Sequence, residues 1–327
     1  MTSYDFSGIL GQPKAINLLT RALSSGRLAH AYLFSGPDGV GKTRTAMEVA
    51  AALLCTDPDR RPCRRCPGCL KFASSNHPDF LAIRPDGDAI KIDQVRELKK
   101  SLAFAPFETG LRVVVLEEVQ TMRREAGNSL LKVLEEPPPD NLLILVASDS
   151  EPILPTILSR CQAIPFYPLP LPLAAEIIAR ENAALDLEGA RALAMLTNGC
   201  PGRAGRLEAG GALELYRQVI AELVAPAAGE AVQVETALAL AVRMAELKQE
   251  LGVLLDLLRI FFKDAMIAGL SGTAVSVEAD QARERWNLER LSDKIAAIDT
   301  AQKALARNCN RALVCEVLLL DLFPDAG

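Results

Sequence analysis

The octapeptide GPDGVGKT at residues 36–43 constrains the fold of this chain more than any other segment. It matches the pattern G-x-x-x-x-G-K-[ST], follows the apolar run HAYLFS and precedes an Ala-rich segment that extends to Leu54. In this strand–loop–helix context, backbone N–H groups surround phosphate oxygens at the N-terminus of a helix. The pattern therefore predicts a phosphate-binding loop between a buried strand and a helix.

Two side chains of this loop have expected roles. Lys42 would reach the β- and γ-phosphates of ATP, or the β-phosphate of ADP, and the Thr43 hydroxyl would contact Mg²⁺. The alternative is a loop that keeps the fold without binding nucleotide. The predicted nucleotide-binding residues of this segment are Gly36, Pro37, Asp38, Gly39, Val40, Gly41, Lys42, Thr43 and Arg44.

Apolar runs that indicate buried strands alternate with segments of helical periodicity in the first half of the chain. We predict strands at residues 30–36, 80–84, 111–119 and 142–148, and helices at residues 13–25, 43–54, 92–104 and 124–136. Nearly continuous apolar strands between helices are typical of a parallel sheet covered on both faces. The expected fold class is an α/β P-loop domain over residues 1–165.

After the Pro-rich segment 161–172, the sequence indicates helices only. We predict a small helical domain at residues 166–208 and a larger all-α domain at residues 209–327. Residues 240–262 interleave charged and apolar side chains at helical spacing, so their apolar face must pack on this domain or on a neighbouring subunit.

Charge and composition narrow the choice of function. The formal net charge is −5, whereas a protein that coats nucleic acid by itself is usually basic. The N-terminal segment lacks the pattern of a signal peptide, and no apolar run approaches the length of a membrane span. We therefore expect a cytoplasmic chain with reduced cysteines, in which clustered thiols bind metal rather than form disulfides.

Four cysteines lie close together in the segment CTDPDRRPCRRCPGC. Two overlapping C-x-x-C units and a fourth thiol match a tetrahedral zinc site that is structural, since four thiolates leave no position for water. A redox C-x-x-C pair is the alternative. The predicted ligands, in an insertion at about residues 55–70, are Cys55, Cys63, Cys66 and Cys69.

Other polar residues near this cluster have two interpretations. His77 is a possible substitute ligand, although a surface or packed histidine is the simpler interpretation. A set of basic residues could contact a phosphate backbone or could form a solvated surface. This set is Arg60, Arg61, Arg64, Arg65 and Lys71.

The segment VVVLEE at residues 113–118 places Glu117 and Glu118 at the end of a predicted strand. In P-loop ATPases a carboxylate at this place holds Mg²⁺, and the first acid is normally aspartate. The added methylene of Glu117 moves the carboxylate by roughly an ångström, a displacement that can cost about a hundredfold in rate.

Several motifs in chain order resemble the AAA+ clamp-loader family of bacterial DNA polymerase III. They include ILGQ, the P-loop, the four cysteines, NHPDF, IKIDQVRELK, NSLLKVLEEPPP, LPTILSRCQ, NGCPGRA and NCNRALVCEVLLLDL. The resemblance implies a nucleotide-binding domain, a helical lid and a helical collar that holds a five-subunit ring. The implied partners are gamma/tau and delta subunits, with the sliding clamp and primed DNA contacted through the complex.

The resemblance also implies residue roles. Arg160, in the triplet SRC, matches an arginine finger that reaches the γ-phosphate bound by a neighbouring subunit. Ser148 stands at the position that senses the γ-phosphate, and Glu118 at the position that orients the attacking water. Arg203 matches the lid arginine that contacts bound nucleotide. Solvent exposure is the alternative for Arg160, and a helix-capping or surface role is the alternative for Arg203.

Three hypotheses for the function compete. The first is a stator subunit that holds nucleotide, hydrolyses it weakly or not at all, and donates Arg160 in trans. The second is a gamma/tau-like motor that hydrolyses ATP. The third is a P-loop kinase for a small acceptor, which leaves LLKVLEEPPP and SRC unexplained. A stand-alone zinc-bearing DNA binder does not suit the acidic balance, and no polymerase carboxylate pair is visible.

Overall fold

The computed structural model describes residues 3–149, 152–183, 185–205, 207, 210–226, 229–271 and 277–323. The chain divides into two compact units, one comprising residues 1–183 and 197–204 and the other residues 184–196 and 205–327. The boundary predicted between residues 208 and 209 lies outside the described residues. Among the helices that are described, none combines the length and the apolar character that a membrane span requires.

The strands all lie in the first unit. They are β1 (Ser3–Tyr4), β2 (Ala31–Ser35), β3 (Arg60–Arg61), β4 (Phe80–Ile83), β5 (Arg112–Leu116), β6 (Asn141–Ala147) and β7 (Gln162–Pro165).

The helices occur in both units. They are α1 (Pro13–Ser25), α2 (Lys42–Leu53), α3 (Pro67–Ala73), α4 (Ile92–Leu102), α5 (Arg124–Glu135), α6 (Pro155–Leu158), α7 (Leu171–Glu181), α8 (Leu187–Leu196), α9 (Pro201–Ala204), α10 (Gly210–Val224), α11 (Glu230–Glu246), α12 (Leu251–Ser271), α13 (Val277–Arg285), α14 (Leu288–Ala306) and α15 (Arg311–Leu322).

In the described chain, β4-β5-β6-β2-β7 form one five-stranded sheet in that order, with every neighbouring pair parallel. Successive side chains of a strand point to opposite faces. Leu33 and Leu145 pack on one face with Leu98 of α4 and Leu130 of α5. On the other face α2 contacts β5 and β6, and Phe34 is fully buried. The predicted α/β class, with helices on both faces of a parallel sheet, is confirmed.

The position of β7 was not predicted, because the sequence after residue 161 indicated helices only. This segment pairs with β2 at the edge of the sheet, and Ile164 is its only buried side chain. An edge strand with one buried residue and a terminal proline lacks the apolar run that marks a central strand. The two-residue strands β1 and β3 pair with each other and are likewise too short to show periodicity.

The described elements of the second unit are helical, as predicted for the C-terminal region. Helix α12 contacts α10, α13 and α14, and α11 packs against α15. Aromatic side chains occupy the core between them, where the rings of Phe262 and Trp286 are 5.9 Å apart. Both rings are at least 96% buried, so the 240–262 segment packs on its own unit.

Candidate functional site

The loop between β2 and α2 has the backbone that its glycines predict. The φ angles are 145° at Gly36, 81° at Gly39 and 97° at Gly41, values that residues with a side chain rarely adopt. A Cβ atom at Gly36 would also lie 2.2 Å from the carbonyl oxygen of Phe166. Close approach of a neighbouring segment therefore requires glycine here as much as the turn itself does.

Lys42, the first residue of α2, folds back over this loop. Its Nζ donates a 2.6 Å hydrogen bond to the carbonyl oxygen of Pro37, and the residue is 5% exposed. Thr45 Oγ1 donates to the carbonyl oxygen of Gly41 at 2.9 Å and anchors the first turn. Since the first N–H groups of a helix lack intrahelical partners, the ammonium and the helix N-terminus together suit an anion such as phosphate.

Gln12 supports the loop from the segment before α1. Its Nε2 donates to the carbonyl oxygen of Tyr167 at 2.7 Å and to that of Val40 at 3.3 Å. The residue is 4% exposed, so both bonds are sheltered from water. Reasoning from motifs did not assign Gln12 to the site, and its only signal was its place in ILGQ.

The start of α9 lies beside the loop, and a Cβ atom at Gly39 would lie 2.7 Å from the Arg203 backbone nitrogen. The Gly202 N–H donates to the carbonyl oxygen of Gly39 at 2.9 Å, and a Cβ atom at Gly202 would lie 2.9 Å from the Gly39 Cα. Burial raises the pKa of the Cys200 thiol, while the positive charges of Arg203 and Lys42 oppose this shift. Gly202 and Arg203 therefore pack directly on the loop.

The predicted acidic and sensor residues follow the carboxyl-terminal ends of their strands, as the P-loop follows the carboxyl-terminal end of β2. Glu117 follows β5 and Ser148 follows β6. These two strands are adjacent and parallel, and β2, which the P-loop follows, is the other neighbour of β6. The Ser148 N–H donates to Gln120 Oε1 at 3.1 Å. Glu118 is exposed and has a φ angle of 52°. The predicted strand 111–119 ends at Leu116, so both glutamates belong to the loop that follows it.

Glu117 is paired with a residue that sequence reasoning missed. Arg84 Nε donates a 2.8 Å hydrogen bond to Glu117 Oε1, with the Glu117 side chain 14% exposed and that of Arg84 65% exposed. Arg84 directly follows β4, the neighbour of β5 in the sheet. The bond to Glu117 raises the pKa of the Arg84 guanidinium. No sequence motif marked this pair.

Two other predicted arginines form ion pairs within the chain. Arg160 Nη2 lies 2.8 Å from Glu135 Oε1, and its Nη1 donates to the carbonyl oxygen of Thr156 at 3.0 Å. Its side chain is 35% exposed. Arg44 is more exposed and lies 3.4 Å from Glu181 Oε1 on α7. Within the chain, Arg44 is therefore paired with α7 and Arg160 with α5.

The four predicted zinc ligands converge. Their Sγ atoms all lie within 4.8 Å of one another, and those of Cys55 and Cys66 are 3.7 Å apart. A tetrahedral zinc site with Zn–S bonds of about 2.3 Å requires sulfur atoms about 3.8 Å apart. Cys66 caps α3, and its Sγ accepts from the Cys69 N–H at 3.4 Å. The donor set and its spacing therefore fit a structural Zn²⁺ ion.

Cys66 and His77 differ near this site: the Cys66 thiol ionises readily, whereas the His77 imidazole is packed and hydrogen-bonded. Burial opposes ionisation of Cys66, but hydrogen bonds from Thr56 and the Cys69 N–H outweigh it and lower the Cys66 pKa to about 5. A thiolate is the form that binds zinc. His77 is buried, and its Nδ1 accepts from the Asp79 N–H at 3.1 Å. The packed interpretation of His77 is the one that the structure supports.

The basic residues around the cysteines are engaged with acids or carbonyls. Arg64 lies 2.8 Å from Glu48, and Arg65 lies 3.5 Å from Asp57. Similar contacts join Arg60 to Asp5, Lys71 to Glu108, and Arg61 to the Asp57 carbonyl oxygen. Since exposed ion pairs are weak, this arrangement favours a solvated, charge-balanced surface over a dedicated phosphate-binding patch.

The first half of the chain is similar in sequence to known DNA polymerase III subunits. Residues 11–170 match the family model described as "DNA polymerase III, delta subunit". The chain is 37% identical over 158 residues to DNA polymerase III subunit delta' of Bacillus subtilis, covering 48% of each protein. It is 38% identical over 198 residues to the corresponding Pseudomonas aeruginosa subunit, covering 59% of this chain and 60% of that protein. The resemblance drawn from the motifs is confirmed.

Other similarities are less extensive. Subunit tau of Bacillus subtilis is 34% identical over 187 residues, which cover 56% of this chain and 32% of that protein. The RuvB Holliday junction branch migration motor of Thermotoga maritima aligns with a TM-score of 0.44 at 17% identity, covering 66% of this chain and 65% of that one. The matches therefore span about half of the length of the delta' relatives and less of tau.

Proposed function

We propose that this chain, whose residues 11–170 match a family of DNA polymerase III subunits, works as a delta-prime-type subunit of a bacterial clamp loader. It would join gamma/tau and delta subunits in a five-membered cytoplasmic ring that places a sliding clamp on primed DNA. The similarity to two delta' subunits is the observation that carries this proposal. The chain would contact the clamp and DNA as part of the complex.

The P-loop supports a nucleotide-holding role. Lys42 and the N-terminus of α2 would neutralise the phosphates of ATP or ADP, and Arg203 would contact the nucleotide from α9. Mg²⁺, when bound with the phosphates, would take Thr43 as a protein ligand and supply a minor part of the charge neutralisation. We propose weak or no hydrolysis by the isolated chain, because the Glu117 carboxylate is paired with Arg84 at 2.8 Å.

Arg160 is proposed to act on a neighbouring subunit. Its side chain keeps about a third of its surface exposed and is held by Glu135 of the same chain. A guanidinium that is oriented before assembly loses less side-chain entropy when it reaches a γ-phosphate. Removing this group would slow hydrolysis in the neighbour without affecting nucleotide binding by this chain.

The second unit supports the collar role through the adjacent helices α11 and α15. Leu238 and Val242 of α11 are 40% and 57% exposed, and Leu313 and Val317 of α15 are 59% and 52% exposed. Exposed apolar side chains on neighbouring helices are typical of a protein interface. We propose that this face contacts the other subunits. The four cysteines would hold a structural zinc ion.

Replacing Lys42 by alanine is expected to weaken nucleotide binding about 10- to 100-fold, because a charge-assisted hydrogen bond contributes about 1.5–3 kcal/mol. Titration with a fluorescent ATP analogue measures the change. Lys100→Ala is the matched control, since Lys100 is an exposed lysine on α4 paired with Glu97. Equal affinity of the Lys42→Ala variant and the control would contradict the P-loop role.

The clamp-loader proposal is tested by reconstitution with gamma/tau, delta, the sliding clamp and primed DNA. Omitting this chain should abolish clamp loading, and adding it back should restore loading. Loading at full rate without it would show that the chain serves another process. Sustained ATP turnover by the purified chain, lost in Lys42→Ala, would instead favour the gamma/tau-like motor, which its similarity to tau makes the second candidate.

A further inference from the structure

We propose that Arg84 is a positioning residue that holds the Glu117 carboxylate in an ion pair and makes nucleotide binding by this chain largely independent of Mg²⁺. The inference rests on the proposed nucleotide binding and goes beyond it, because it assigns the weak Mg²⁺ dependence of that binding to one residue outside the known motifs. Arg84 would act through Glu117 and would not contact the phosphates itself.

The geometry of the sheet brings the pair to the site. Arg84, Glu117 and the P-loop follow β4, β5 and β2, and the carboxyl ends of parallel strands lie at one edge of the sheet. The register pairs Ile83 with Leu116, so Arg84 and Glu117 leave adjacent strands at the same level. Arg84 Nε then lies 2.8 Å from Glu117 Oε1.

A side chain at the start of α4 restrains the main chain of Arg84. Gln94 Nε2 donates to the Arg84 carbonyl oxygen at 2.7 Å, and the Gln94 Oε1 accepts from the Lys91 N–H at 2.9 Å. The start of α4 therefore holds the Arg84 main chain beside β5. The Glu117 side chain is mostly buried while that of Arg84 is mostly exposed, so the pair lies at the border between the protein interior and solvent.

The ion pair with Arg84 affects the ability of the Glu117 carboxylate to bind Mg²⁺. A magnesium site needs an oxygen ligand in tight octahedral geometry, directly or through bound water. Here one Glu117 oxygen already accepts a hydrogen bond from the Arg84 guanidinium, which neutralises this carboxylate and makes it a poorer ligand for Mg²⁺. Nucleotide phosphates would then depend on Lys42 and the α2 N-terminus, with little gain from the metal ion.

The test measures the affinity of the full chain for a fluorescent ADP analogue in excess Mg²⁺ and in EDTA. We expect less than about a twofold difference between the two conditions for the wild-type chain. In Arg84→Gln, affinity in Mg²⁺ should rise above affinity in EDTA by about three- to fivefold, the range of an exposed ion pair. Adding Glu117→Gln to that variant should remove the difference.

Arg96→Gln is the matched control, because Arg96 is an equally exposed arginine whose Nη1 lies 2.9 Å from Asp93. It should keep the wild-type response to Mg²⁺. A merely structural role for Arg84 would lower affinity in Mg²⁺ and EDTA alike, and that result would overturn the inference. A strong Mg²⁺ requirement of the wild-type chain would also overturn it. Absence of binding in both conditions would overturn the nucleotide-holding function itself.

Discussion

Replacing Arg160 by alanine is expected to slow ATP hydrolysis at one neighbouring site of a reconstituted clamp loader about a thousandfold, the lower range for an arginine finger supplied in trans. Single-turnover hydrolysis with rapid quench is the suitable measurement, because the affected site should disappear from the fast phase while the other sites remain. Nucleotide affinity of this chain should not change, since Arg160 precedes the start of β7 whereas the P-loop follows the end of the parallel strand β2.

The ion pair with Glu135 provides the control for this variant. Loss of the 2.8 Å contact between Arg160 and Glu135 could by itself disturb the loop before β7. Glu135→Gln removes the ion pair but keeps the guanidinium, so it should leave the fast phase intact. Arg160→Lys keeps the charge but lacks the planar fork, and should restore little activity. If Glu135→Gln reproduced the loss, the effect would be structural and the finger role would be wrong.

Replacing Cys66 by serine is expected to eliminate zinc binding and to destabilise the first unit. Serine is a good helix N-cap, so the start of α3 is preserved and the loss reports on the metal ligand. Structural zinc contributes about 10–16 kcal/mol of apparent binding free energy in small domains. If about 3 kcal/mol of that reaches the free energy of unfolding, Tm should fall by about 6–12 °C.

Cys309→Ser is the matched control for the zinc prediction, because Cys309 is an exposed thiol outside the cluster. Atomic emission should find about one zinc ion per chain in this control and none in Cys66→Ser. Chelation of the wild-type chain should lower Tm in the same direction. Equal zinc content and equal Tm in both variants would show that the cysteines do not form a metal site.

Local sequence patterns were sufficient for much of the fold. The predicted helix at residues 13–25 has the observed bounds, the predicted strands at residues 30–36 and 80–84 each contain an observed strand, and the one at 142–148 is shifted by one residue from β6. They were predictable because β6, for example, is apolar and buried over nearly its whole length. The edge strand β7 was not predictable, since its pairing with β2 depends on the completed sheet.

The sequence by itself determined the P-loop and the cysteine cluster, because a turn before a helix and thiols a few residues apart depend on local spacing. Tertiary structure decided which charges meet. Arg84 and Glu117 are 33 residues apart in the chain, and Gln12 and Tyr167 are 155 apart. A hydrogen bond depends on the distance between atoms in the folded chain, and for such pairs only the packing of the strands and helices sets that distance.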